Sequence, residues 1–255
     1  MCKRAGKNLE HLSPVKQRQP ILNAPGVVVG ILGIFLALHL ARSLLPEEQG
    51  AWLTVLLAFI PARLGGSARE LPGGEAASIT QFVTHQFLHG DITHLLINSA
   101  WFLAFGTSVA RRTGPVRFVT FFLLCGIAGA ALFAFLNASA SSIMVGASGA
   151  VSGLMGAAIR FLLRPLSEGD ADGIAGKTRH PPLMSLRATF ADRRVLAVMA
   201  GWTLLNVLMA WGASGLVDGM SIAWEAHLGG FYTGLLTYGL FDDPPIIHHD
   251  VAVAE

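Results

Sequence analysis

Long apolar runs separated by short polar segments dominate this chain, as in "GVVVGILGIFLALHLARSLL" near the N-terminus. A helix that crosses a membrane needs about 20 consecutive, mostly apolar residues. Six stretches approach this length, at about 25–45, 92–110, 116–136, 143–163, 195–213 and 221–240. The pattern therefore predicts an all-α, polytopic membrane protein with a bundle of six transmembrane helices over residues 25–240.

The composition supports a membrane protein. Of the 255 residues, 53% are hydrophobic and only 13% are charged, whereas about 25% of the residues of a soluble domain are charged. The two cysteines, Cys2 and Cys125, lie in a basic tail and in the middle of a predicted span. We therefore expect no disulfide between them.

Lysine and arginine are unevenly distributed among the connections. They cluster in residues 1–24, at 111–117 and in 164–194, and are sparse in the other connections. Because such residues are enriched on the cytoplasmic side, we expect a cytoplasmic basic tail (1–24), a cytoplasmic loop (164–194) and both termini inside. We see no cleaved signal peptide and expect a bacterial inner membrane, with a mitochondrial membrane left open.

The first external connection, residues 46–91, is long and partly apolar. Its segment "AWLTVLLAFIPARLGG" is too short to cross a bilayer. It is typical of an interfacial or re-entrant helix. Residues 241–255 are predicted to form a disordered C-terminal tail.

Four polar side chains fall at a similar depth in three predicted spans. Ser148 lies near the external end of the fourth span, and His227 near that of the sixth. His94 and Asn98 lie in the first two turns of the second span. Because polar residues within spans face the protein interior and mark functional sites, we expect these four to form one site.

Glycines can bring the fourth and sixth spans together. Those of the fourth span are spaced by three, four and three residues, which predicts one shared helical face. The pair in the sixth span forms a GxxxG motif, typical of close helix packing in membranes. If the two faces meet, His227 lies beside Ser148. The glycines concerned are Gly146, Gly149, Gly153 and Gly156, with Gly230 and Gly234.

These residues suggest nucleophilic catalysis. A serine hydroxyl is a weak nucleophile until a neighbouring base takes its proton, which favours a Ser148–His227 dyad. His94 and Asn98, four residues apart on one helix face, are able to donate hydrogen bonds to a developing oxyanion. The backbone N–H of Ser148, near a helix N-terminus, is a third donor.

The segments "HLLIN" (94–98), "GASG" (146–149) and "AHLGGFYTG" (226–234) resemble, in order, those of the rhomboid family of intramembrane serine proteases. The resemblance covers about residues 80–240. It implies cleavage of transmembrane helices near the outer leaflet by Ser148, with His227 as general base. It also implies an oxyanion hole made by His94, Asn98 and the Ser148 backbone.

The resemblance implies neither a metal nor an organic cofactor. The expected partners are transmembrane protein substrates and the lipid bilayer. No nucleic-acid partner is expected, and the oligomeric state is left open.

The sequence departs from the family pattern at three places. Thr80 and Gln81 stand where many members carry Trp-Arg in the external loop. Ser152 replaces a tyrosine that often stacks on the catalytic histidine. After the second span a glutamate and an arginine are common in the family, and the corresponding segment here, "SVARRTG", keeps only the arginine. His227 therefore needs another orienting contact, for which we expect Ser152 or a water.

The sequence is compared with three alternative functions by the residues that each requires. The first is a catalytically inactive rhomboid-like protein that binds transmembrane helices. The second is a metalloprotease, since "HQFLH" (His85 and His89) is similar to the helical HExxH zinc motif, but Gln86 replaces the glutamate base. The third is a transporter or channel, which predicts inverted repeats and charged residues deep in the spans; the sequence shows no repeat, and its polar cluster is shallow and one-sided.

Overall fold

The structure, a computed structural model, describes residues 23–66, 70–138, 140–164, 182–216 and 223–242. Almost all of the predicted basic tail (1–24), most of the predicted loop (164–194) and nearly all of the predicted C-terminal tail (241–255) lie outside the described residues. Those three predictions therefore stay predictions.

Helices form most of the described chain, which confirms the predicted all-α class. They are α1 (Gly26–Leu44), α2 (Glu47–Leu57), α3 (Gly74–Thr84), α4 (Ile92–Trp101), α5 (Thr107–Leu136), α6 (Ser148–Leu162), α7 (Leu186–Ala191), α8 (Arg193–Leu216) and α9 (Trp224–Thr237).

A π turn at Phe102–Gly106 joins α4 to α5 without a break. Inside α5 the chain bends at Gly114, whose φ of 72° is not helical and which precedes Pro115. The helical run from Ile92 to Leu136 therefore contains both the second and the third predicted spans, divided at this kink.

Three helical stretches of the described chain are long and apolar enough to cross a membrane: Gly26–Leu44, Ile92–Leu136 and Arg193–Trp211. Leucines such as Leu40 and Leu208 are exposed on them, as expected for side chains that face lipid. The protein is therefore an integral membrane protein. At 15 and 14 residues, α6 and α9 are only about 21–23 Å long.

The centre of the bundle is built from α5, α6 and α9, which pack through glycine. A Cβ atom added to Gly230 would lie 1.9 Å from the carbonyl oxygen of Gly149, and one added to Gly234 would lie 2.0 Å from that of Gly153. Gly149 contacts Gly230 and Gly153 contacts Gly234, so residue numbers increase in the same direction along both helices. The helices α6 and α9 therefore run parallel. Their backbones touch, a close approach that small residues such as glycine permit in membrane helix pairs.

The fourth predicted span is not helical at its beginning. Met144 pairs with Phe59 in an antiparallel bridge, with 2.9 Å hydrogen bonds in both directions. The helix therefore begins only at Ser148, which corrects the predicted start at residue 143. Similarly, the last helix begins at Trp224 rather than at residue 221.

The segment between α1 and α4 is held by buried polar side chains. Arg63, which is 2% exposed, donates hydrogen bonds to the carbonyl oxygens of Val55, Ala58 and Pro72 at 2.7, 3.1 and 3.0 Å. The side-chain oxygen of Gln81 accepts the backbone N–H of Ile60 at 2.9 Å. These contacts anchor the loop in this chain, which lacks the Trp-Arg pair.

Candidate active site

Ser148 is the first residue of α6 and is half-buried. Two residues earlier, Gly146 has a φ of 121°, a conformation that residues with a Cβ rarely adopt. The amide of Gly146 donates to the carbonyl oxygen of His85 at 2.9 Å. The chain thus turns sharply into the helix, and the N–H of Ser148 belongs to the first turn, where backbone donors lack partners within the helix.

Gly146 also brings α4 to this turn. A Cβ atom at Gly146 would lie 2.7 Å from Nε2 of His94 and 3.9 Å from Nδ2 of Asn98. The missing side chain lets the imidazole of His94 pack directly on the backbone before Ser148. The prediction that Gly146 shares a helical face with Gly149 is therefore wrong, because Gly146 lies outside the helix and contacts α4 instead.

The candidate donors on α4 are fixed by local hydrogen bonds. The Asp91 carboxylate caps the helix by accepting the backbone N–H of His94 at 2.9 Å, and this bond holds the pKa of Asp91 below its usual value. Nδ2 of Asn98 donates to the carbonyl oxygen of His94 at 3.0 Å. Asn98 is buried, whereas His94 is half-buried.

On the other side of α6 lies the first turn of α9. A Cβ atom at Gly149 would lie 3.2 Å from the carbonyl oxygen of Ala226, the residue before His227. His227 itself is half-buried. Within the described chain, no hydrogen bond joins the Ser148 hydroxyl to the His227 imidazole.

The imidazole of His227 contacts a residue that the sequence analysis did not select. Its Nδ1 lies 2.8 Å from Oδ1 of Asn206 on α8. The ring centroids of His227 and Trp202, also on α8, are 6.2 Å apart. The hydroxyl of Ser152 donates to the carbonyl oxygen of Ser148 at 2.7 Å, so the expectation that Ser152 orients His227 is wrong. A polar asparagine inside an apolar span was the available signal for Asn206.

The histidines of "HQFLH" have packing roles. Nδ1 of His85 lies 2.7 Å from the carbonyl oxygen of Gln81, and burial lowers the pKa of His85 to about 4. The ring of His89 packs on Phe35 with centroids 4.9 Å apart. Among the residues that the structure describes, no group of three or more His, Cys, Asp or Glu side chains could hold a metal ion.

These features define a helical membrane protein, packed through glycine, in which the Gly146–Gly149 segment contacts His94 on one side and Ala226, the residue before His227, on the other. The family described as "Rhomboid domain" matches residues 76–242, more than half of the chain. The chain therefore belongs to the rhomboid family.

Curated relatives agree with this assignment. RHOMBOID-like protein 4 of Arabidopsis thaliana is 32% identical over 151 residues, 59% of this chain and 31% of the relative. RHOMBOID-like protein 6, mitochondrial, is 29% identical over 155 residues, which cover 60% of this chain and 41% of the relative. RHOMBOID-like protein 1 is 25% identical over 228 residues, which cover 83% of this chain and 51% of the relative. These three matches thus span 31% to 51% of the relatives' own lengths.

Proposed function

We propose that this protein is an intramembrane serine endopeptidase that cleaves transmembrane helices of membrane proteins near the outer leaflet. The observation that carries the proposal is the packing of the Gly146–Gly149 segment. It contacts the imidazole of His94 on one side and the carbonyl of Ala226, next to His227, on the other. Ser148 lies within this segment, between the candidate oxyanion donors and the candidate base.

In the first half-reaction, Oγ of Ser148 attacks the scissile carbonyl carbon while its proton passes to Nε2 of His227. The tetrahedral oxyanion accepts hydrogen bonds from His94, Asn98 and the Ser148 N–H, which stabilise charge that is absent from the bound substrate. The C–N bond then breaks, the amine leaves with the proton from His227, and an acyl-serine ester remains.

In the second half-reaction, water attacks the ester and gives its proton to His227. The ester bond breaks, Ser148 regains a proton from His227, and the acid product leaves. Hydrogen bonds in enzymes without substrate are often longer than in the reacting complex, so the absence of a Ser148–His227 bond is compatible with this sequence.

Substrates are transmembrane proteins that share the bilayer with this chain. A helix shields its own carbonyl groups through its internal hydrogen bonds, so the substrate has to unwind near the cut. Cleavage at equal rates of a site held helical by a run of leucines and of a site with a helix-breaking residue would contradict this requirement.

The test compares Ser148 with a second serine that lies outside the candidate site. Ser148→Ala and His227→Ala should abolish cleavage of a transmembrane reporter substrate in liposomes and abolish labelling by a fluorophosphonate. Ser108→Ala is the matched control, because within the described chain the hydroxyl of Ser108 donates to the carbonyl oxygen of Ala104, one turn earlier in the same helical run, and to no candidate site residue. Unchanged cleavage by folded Ser148→Ala would overturn the proposal.

A catalytically inactive rhomboid-like protein is the second candidate. Two observations favour it: Ser152 replaces the stacking tyrosine, and the Ser148–His227 hydrogen bond is absent within the described chain. It predicts that wild type and Ser148→Ala capture a transmembrane substrate equally well and that neither cuts it or reacts with the probe.

We also propose that both termini face the cytoplasm, from the distribution of lysine and arginine, and that the membrane is a bacterial inner membrane. Single cysteines placed at positions 8 and 250 of a variant without Cys2 and Cys125 should react with a membrane-impermeant maleimide only after spheroplasts are lysed. Labelling of either position in intact spheroplasts would refute this orientation.

A further inference from the structure

We propose that Asn206 on α8 is a positioning residue for His227 and holds its imidazole in the tautomer that carries the proton on Nδ1. This inference rests on the proposed function, because it concerns the base of that site. It adds a third side chain, from a different helix, to the serine and histidine of the dyad.

The orientation of the Asn206 amide follows from its two contacts. Its Nδ2 donates to the carbonyl oxygen of Trp202, one turn earlier in α8, at 2.9 Å. Its Oδ1 lies 2.8 Å from Nδ1 of His227. Exchanging the amide nitrogen and oxygen would place an oxygen against the Trp202 carbonyl, where neither atom has a proton to donate. The oxygen therefore faces His227.

The orientation of the amide fixes the protonation of the ring. An amide oxygen only accepts hydrogen bonds, so Nδ1 of His227 has to carry the proton. In a neutral imidazole the other nitrogen, Nε2, then holds a lone pair. A lone pair on Nε2 is what a general base needs in order to take the serine proton, and the opposite tautomer would leave Nε2 unable to accept it.

The surroundings of Asn206 indicate that this contact is built into the helix. Asn206 is fully buried, although its neighbours Leu205 and Leu208 are exposed and face lipid. Trp202 lies one turn before Asn206 on the same helix face, and its ring approaches that of His227. One face of α8 thus supplies both a hydrogen bond and an aromatic contact to His227.

An amide suits this position better than a carboxylate. A buried carboxylate would need a charged partner, whereas the amide accepts the Nδ1 proton without adding charge to an apolar bundle. When the imidazole takes up the serine proton, the same hydrogen bond becomes charge-assisted and therefore stronger. The contact then stabilises the transition state more than the resting enzyme.

The kinetic test replaces the amide by a side chain of similar size that cannot accept a hydrogen bond. Asn206→Leu should lower kcat about 10- to 100-fold, the range for losing a hydrogen bond to a charged group, with KM changed less than threefold. Asn206→Gln keeps an amide that both donates and accepts, and should recover part of kcat. Leu208→Ala, on the lipid-facing side of α8, is the control and should leave kcat unchanged. Equal losses in Asn206→Leu and Asn206→Gln would overturn the proposal.

A spectroscopic test separates this inference from the proposed function. ¹⁵N solid-state NMR of histidine-labelled protein in liposomes, assigned with His227→Gln, should show a protonated Nδ1 at His227 in the wild type. In Asn206→Leu both tautomers should be populated. Because this readout needs no cleavage, a protein that cuts nothing but shows the Nδ1–H form would refute the protease and retain the role of Asn206. Wild-type His227 protonated on Nε2 would refute that role.

Discussion

At the scale of single residues, Asp91 shows how one carboxylate positions a candidate site. It caps α4 through the backbone N–H of His94, and α4 carries both His94 and Asn98. Asp91→Ala should lower stability by about 1 kcal/mol, the usual value for a lost helix N-cap. Asp91→Asn should retain most of this stabilisation, because an amide oxygen also accepts the hydrogen bond from the backbone N–H of His94. Thermal unfolding in detergent at pH 7 measures both.

The contribution of Asp91 depends on pH with a definite sign. The His94 N–H lowers the pKa of Asp91 in the folded state, so the charged cap stabilises the protein above the unfolded-state pKa of about 3.9. This stabilisation is lost as the pH falls through the lower folded-state pKa. The difference in Tm between wild type and Asp91→Ala should therefore shrink below pH 4, whereas that between Asp91→Asn and Asp91→Ala stays constant. A wild-type difference independent of pH would contradict this account.

Residue types and spacing were enough to select Ser148, His227, His94 and Asn98 as candidates, because each is a polar residue in an apolar run. The contacts of His227 were not accessible in the same way. Ser152 occupies the position of the tyrosine that often stacks on the catalytic histidine, but its hydroxyl bonds to its own helix. Asn206 reaches His227 only through the packing of α8 against α9, and spacing along the chain does not contain that information.

At the scale of helices, the close contact of α6 and α9 depends on the absence of side chains. Gly230→Ala and Gly234→Ala would place a methyl group within about 2 Å of a backbone carbonyl oxygen on α6, so the helices have to separate. We expect each change to destabilise the protein by about 1–3 kcal/mol and to lower cleavage. Tm in detergent and the cleavage rate in liposomes measure the two effects.

Gly201→Ala is the matched control for this glycine seam, in which Gly230 and Gly234 of α9 contact Gly149 and Gly153 of α6. Gly201 lies in α8, and a Cβ atom there would meet nothing within 4 Å. Because alanine is the better helix former, Tm should stay the same or rise. If Gly230→Ala were as stable and as active as Gly201→Ala, the glycine contact would not hold the site together.

The positions of the helices were largely predictable from hydropathy, but the structure of the segment that leads into α6 was not. The apolar run from residue 143 reads as helix, yet Met144 pairs with Phe59, which lies 85 positions earlier in the chain. Gly146 fits the periodicity of the helical glycines, yet it adopts a positive φ and packs on His94. Both differences arise from partners distant in sequence, which overrode the local pattern.

At the scale of the whole molecule, a buried ion pair ties the bundle together at the end away from Ser148. Arg112 in α5 donates two hydrogen bonds to the carboxylate of Asp242, just after α9, at 2.8 and 2.7 Å. The guanidinium carbon of Arg112 lies 4.7 Å from the ring centroid of Phe161 in α6. One arginine thus joins the three central helices. The segment "SVARRTG" lacks the glutamate of the family pattern, and the carboxylate that pairs with Arg112 comes from Asp242.

This pair should contribute far more to the stability of the protein than an exposed pair of the same type. The side chains of Arg112 and Asp242 are only 4% and 10% exposed, and breaking such a buried pair costs about 3–5 kcal/mol because one charge is left without its partner. We expect Asp242→Asn and Arg112→Met each to lower Tm strongly, and the double variant to lose less than the sum of the two, since it leaves no unpaired charge.

The exposed pair Asp192–Arg194, with Arg194 57% exposed and an N–O distance of 2.8 Å, provides the control. Because solvent screens such pairs, Arg194→Met should leave Tm nearly unchanged. A double-mutant cycle on unfolding in detergent measures the coupling directly. Additive losses for Arg112 and Asp242 would mean that the two side chains do not stabilise each other. A strong coupling would mean that the ion pair holds the chain just after α9 against α5, at the end of α9 opposite to His227.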